Sequence, residues 1–90
     1  MGILKHNPDV TSASIEDQIF LFEPRNAEYI ILNQCSSKIW ELIKEEKYTF
    51  EKLIEKLLDI FNVEKIKCER ETKEFISLAI NKGILIVDDN

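Results

Sequence analysis

Apolar and polar residues along the chain change their period once, near residue 33. Before that point the apolar residues fall in short extended runs. "IFLF" at 19–22 and "YIIL" at 29–32 flank "EPRNAE", where Pro24 presets a turn dihedral and Asn26 tolerates a left-handed backbone. This predicts a hairpin with strands at about 18–23 and 28–32. A weaker alternation around Val10 and Ile15 predicts an irregular first strand over residues 9–14. Past Leu32 the period becomes 3.6, and Asn33 stands where an N-cap side chain would accept from the free amides of a first helical turn. A helix is expected over 34–45, with Cys35, Ile39, Trp40, Leu42 and Ile43 on or beside its inward face. Thr49 offers a second cap, and Phe50, Leu53, Ile54, Leu57, Leu58 and Phe61 form one apolar stripe over 50–61. A third helix, 64–82, turns Ile66, Thr72, Phe75, Ile76, Ala79 and Ile80 inward. Gly83 follows as a left-handed C-cap, and "ILIV" closes the chain as an extended tail.

Three strands followed by three helices make an α+β fold: a three-stranded antiparallel sheet on one side of a three-helix cluster, in one domain covering 1–90. Such a sheet cannot close on itself, so its last strand presents unpaired amides and carbonyls to the surroundings. "EYIIL" protects that edge with nothing beyond Glu28. Period two places Glu28, Ile30 and Leu32 on one face and Tyr29 and Ile31 on the other. Leu32 adjoins the cap and faces the core, taking Ile30 with it. Tyr29 and Ile31 then either line a groove or pack beneath the N-terminal strand or the "ILIV" tail.

With 44% hydrophobic and 32% charged residues, the chain has the composition of a soluble globular protein. Its apolar runs are far shorter than the ~20 residues a bilayer requires, and the N-terminus lacks a secretory signal pattern, so the expected location is cytoplasmic. Cys35 and Cys68 lack the spacing of a zinc site or disulfide framework and read as free thiols, buried or half-buried. His6 has no evident partner. Trp40 belongs to the core, where its large aromatic surface is best buried. No nucleophile–base constellation, phosphate loop or ligand set appears, so neither enzyme chemistry nor a cofactor is expected.

"IFLFEPRNAEYIILNQCSSKIWELI", with Leu32-Asn33 and a tryptophan seven residues after the asparagine, then "TFEKLIEKLLDIFNV" and "EFISLAINKGILI", resembles the PqqD family. The resemblance runs from "HNPDV" to the end of the chain. It implies a winged helix-turn-helix-like fold of three strands and three helices that is not an enzyme. Such domains recognise the leader segment of ribosomally made, post-translationally modified peptides and hand the precursor to a modifying enzyme: a leader peptidase, a cyclase or a radical-SAM enzyme. Some are fused to that enzyme; a chain of this length is expected to be the separate kind. Pyrroloquinoline quinone synthesis, lasso-peptide maturation and radical-SAM peptide pathways all remain open, as does the choice of monomer or weak homodimer.

In that family the leader adds as a strand to the third strand, beside the third helix. Carried onto this sequence, the binding strand comprises Glu28, Tyr29, Ile30, Ile31 and Leu32. On the helix, Arg70, Lys73, Glu74 and Ser77 are the residues able to meet charged leader side chains. A plainer reading of the helix is a solvated face held by i,i+4 pairs such as Glu69 with Lys73. The competing function is a winged-helix DNA-binding module. The net charge of −5 and the alternation of Glu64, Glu69, Glu71 and Glu74 with Lys65, Lys67, Arg70 and Lys73 leave no one-signed stripe for phosphates. No nucleic-acid or membrane partner is expected.

Overall fold

The structure is a computed structural model that describes residues 2–88. Among those residues the elements run β1 (Ile3–His6), β2 (Thr11–Ile15), β3 (Gln18–Glu23), β4 (Glu28–Leu32), α1 (Gln34–Glu45), α2 (Phe50–Ile60), α3 (Lys65–Asn81) and β5 (Leu85–Asp88). The expected α+β arrangement is present: an antiparallel sheet in the order β2-β3-β4, followed by the three helices. The first expected strand is shifted to Thr11–Ile15, because Asn7 to Val10 forms a turn in which the Val10 amide donates to the Asn7 carbonyl. The residues before that turn form β1, which sequence reading missed.

β1 pairs antiparallel with β5, Leu4 opposite Val87 and His6 opposite Leu85, in a separate two-stranded sheet. The "ILIV" tail is therefore a paired strand. Asn7 joins the two ends of the chain: its backbone amide donates to the Ile84 carbonyl (2.9 Å) and its side-chain amide to the Gly83 carbonyl (2.7 Å). The Leu4 amide donates to the Tyr48 carbonyl, which ties β1 to the turn before α2. His6 also has a partner after all. Its ring stacks on Trp40 with centroids 3.4 Å apart, and Nε2–H donates to the Trp40 carbonyl at 2.8 Å.

Turn chemistry sets the sheet. Glu16 and Asp17 both take positive φ (50° and 67°), the signature of a two-residue type I′ hairpin matched to strand twist. In the β3–β4 turn the left-handed residue is Ala27 (φ 53°) rather than Asn26. The buried carboxylate of Glu23 organises that turn, accepting from the amides of Arg25 (3.2 Å) and Asn26 (2.7 Å).

The helix ends follow the predicted signals. Asn33 Oδ1 accepts from the Ser36 amide at 2.8 Å and Ser36 Oγ accepts from the Asn33 amide at 2.9 Å, a reciprocal capping box. Thr49 caps α2. At the end of α3, Gly83 (φ 76°) lets the Ile84 amide reach the Ala79 carbonyl and its own amide reach that of Ile80, the Schellman arrangement. Leu21, Ile39, Trp40, Leu53, Leu57, Ala79 and Ile84 meet in one core between sheet and helices.

Two residues expected inside are exposed. Ile66 lies two positions before the buried Cys68, roughly 200° around the helix from it, and is 78% exposed. Ile80 sits at the flank of the Cys68, Thr72, Ile76, Ala79 stripe and is partly exposed. Glu69 pairs with Lys65 one turn back, not with Lys73.

Candidate functional site

β4 forms the edge of its sheet. Among the described residues it pairs with β3 alone, Ile19 opposite Leu32, Leu21 opposite Ile30 and Phe22 opposite Tyr29. Leu32 is buried and Ile30 packs half-buried against the core, whereas Tyr29 and Ile31 are 75% and 58% exposed. The alternative, burial under the chain termini, fails because β1 and β5 pair with each other elsewhere. Tyr29 leans instead on Phe22 of the neighbouring strand, ring centroids 4.9 Å apart.

α3 runs opposite to β4, its end meeting the start of the strand and its middle lying by Asn33 just past the strand's end. Near its end Lys82 Nζ lies 2.8 Å from Glu28 Oε2, joining the helix to the start of the strand. Toward the other end of β4 the space between α1 and α3 opens into a cleft of about 540 Å³. Ile39, Phe75 and Leu78 supply its apolar surface, Asn33, Cys35 and Ser36 come from the cap of α1, and Glu71 and Glu74 stand on the helix wall. Burial pushes the Cys35 thiol up, with Cys68 and the Glu71 carboxylate adding to the effect. It stays protonated near neutrality and serves the cleft as a small apolar surface, not as a nucleophile.

Of the helix residues expected from sequence, Glu74 lines this cleft. Lys73 and Ser77 lie on another flank, beside Leu4, Ile76 and Val87, and Arg70 lies beside Asn62 and Glu64. The reason is rotational. Glu71, Glu74, Phe75 and Leu78 follow i, i+3, i+4, i+7, and Arg70, Lys73 and Ser77 each precede one of them, about 100° around the helix. The spacing that continues from Glu71 through Leu78 to Lys82 was the available signal for Glu71 and Leu78. A larger hollow of about 750 Å³ opens between the β2–β3 turn and α1, but it is broad and walled by Glu16, Asp17, Lys38 and Glu41 among other polar groups. The α1–α3 cleft offers apolar surface just beyond the end of the edge strand β4 and is the better candidate.

The family described as coenzyme PQQ synthesis protein D (PqqD) matches residues 18–85, from the start of β3 to the start of β5. The chain belongs to the PqqD family. This PqqD-family chain is similar to the solved structure of TbiB1 in complex with the TbiA(beta) leader peptide: 26% identity, TM-score 0.81, covering 96% of this chain and 99% of that one. It also shares the fold of a lasso peptide synthetase B1 complexed with its leader peptide, at 18% identity and TM-score 0.78, covering 92% and 96% of the two chains. No curated protein matches the chain significantly. The DNA-binding alternative finds no support in these relationships or in the mixed charge of α3. Among the described residues no helix is long and apolar enough to cross a membrane, and no three His, Cys, Asp or Glu side chains group to hold a metal ion.

Proposed function

We propose that this protein binds the leader segment of a ribosomally made precursor peptide as an added strand on β4, with α3 as the second wall, and presents the remainder of the precursor to a modifying enzyme. The observation that carries this reading is a β4 edge unpaired among the described residues, tied to α3 at its start by Lys82–Glu28 and followed at its end by an open cleft between α1 and α3, in a chain that aligns over 96% of its length with a protein solved with a leader peptide bound. Backbone pairing supplies adhesion at roughly 0.5–1.5 kcal/mol net per hydrogen bond, whatever the leader's side chains. Selectivity comes from alternate side chains entering the cleft. The strand contact runs along Glu28 to Leu32, and the helix contact keeps Glu74 of the residues expected from sequence and adds Glu71, Phe75 and Leu78, which line the same cleft. Its role is that of a carrier in the cytoplasm, where precursors are made; the chemistry belongs to a partner peptidase, cyclase or radical-SAM enzyme.

Hydrogen exchange tests the proposal. The purified protein is used to capture peptides from source-cell lysate, the captured precursor is sequenced by mass spectrometry, and amide exchange is compared with and without it. Binding should slow exchange within residues 28–32 and be lost when the precursor's leader is removed. Protection confined to another surface, or capture that does not depend on the leader, refutes the assignment.

A further inference from the structure

The cleft beside β4 has a sign as well as a shape. Its charged walls among the described residues are Glu71 and Glu74, both exposed on α3 and neither in an ion pair. Lys67 and Arg70, one turn earlier, do not bridge to them, and Lys82, at the end of α3, is held by Glu28. Glu71 lines the same cleft as the half-buried Cys35, so its carboxylate stands at the exposed wall above that thiol's side of the cleft. Beside these carboxylates lie Ile39, Phe75 and Leu78. A peptide entering here meets an apolar surface and then uncompensated negative charge, in a protein whose net charge of −5 also favours the approach of a basic segment.

Resting on the strand-addition reading, we propose that Glu71 and Glu74 select leaders carrying Lys or Arg two residues away from an apolar side chain on the cleft-facing side of the added strand. The spacing follows from the two repeats. Leu78 and Glu74 are four residues apart, about 6 Å along a helix axis, and side chains on one face of a strand recur every ~6.6–6.8 Å. An apolar residue set against Leu78 and Phe75 therefore brings the residue two positions on beside the carboxylates. Lys and Arg suit that position because their aliphatic stems cover apolar surface while the cationic heads stay at the wet rim.

A random peptide library panned on the full chain, on Glu71→Gln/Glu74→Gln and on Glu71→Lys/Glu74→Lys tests this, with hydrogen exchange of β4 as a parallel readout of strand addition. Peptides enriched on the parent should carry the apolar-x-basic pattern and protect β4. Neutralising both carboxylates should weaken those peptides roughly three- to tenfold at low salt, the loss shrinking as salt is raised. Charge reversal should enrich Asp or Glu at the same position while keeping the apolar one. If the enriched peptides protect β4 but show no basic preference, or the reversed variant selects the same sequences, charge selection is refuted while strand addition stands. If enriched peptides leave β4 unprotected, both readings fall together.

Discussion

His6 shows how one side chain joins the β1–β5 sheet to α1. Its ring lies flat on Trp40 and its Nε2–H reaches the Trp40 carbonyl, so β1 is fastened to the middle of α1. Burial lowers the His6 pKa, the Trp40 carbonyl opposes that shift, and Lys44 adds to it. The consequence for stability has a definite sign. An unfolded histidine takes up its proton near its ordinary value of about 6.5, whereas the folded one resists until lower pH, so the unfolded chain binds more protons as pH falls. The stabilisation is fully present above that value and is lost as pH drops toward the folded pKa. Urea melts at about pH 8 and about pH 5.5 should show a larger loss for the parent than for His6→Phe, which keeps an aromatic ring on Trp40 but cannot titrate. Equal losses would mean that other groups carry the pH dependence. Local sequence signals at this scale were unequal. Asn33 and Gly83 act as read, because caps depend on neighbours along the chain. His6 and Glu23 owe their roles to groups brought to them by folding and by a turn whose left-handed residue is Ala27.

At the scale of elements, β4 carries the prediction that bears most directly on function. Adjacent residues of a strand aim their amides in opposite directions, one toward the paired neighbour and the next toward the free edge. Of Ile30→Pro and Ile31→Pro, the variant whose lost amide faced outward should keep the parent's circular dichroism and lose leader binding. The other breaks a rung shared with β3 and should unfold at lower urea. If both proline variants fold and hold the leader as tightly as the parent, β4 does not accept a strand. The hairpin, the three helices and the two faces of β4 were all legible from period and punctuation. The helix wall was legible only in part, since each of Arg70, Lys73 and Ser77 lies one residue, and so a third of a turn, away from the cleft.

For the whole molecule, a leader that binds only the folded chain must stabilise it. With free leader at about 100 times its Kd the gain is about 2.7 kcal/mol, roughly 10–20 °C in Tm for a domain of this size. A scanning-calorimetry series against leader concentration should show that rise, and an unchanged Tm at saturating leader would contradict coupled binding. Strand and helix order, both faces of the edge strand, the helix caps and the family resemblance all follow from residues close together in the chain, because period, cap and turn chemistry act over a few positions. The pairing of β1 with β5, the stacking of His6 on Trp40 and the acidic cleft between α1 and α3 arise between residues far apart. Packing alone rotates α3 so that Glu71 and Glu74 line the cleft beside the cap of α1, and among the described residues it leaves the β4 edge open by pairing β1 with β5.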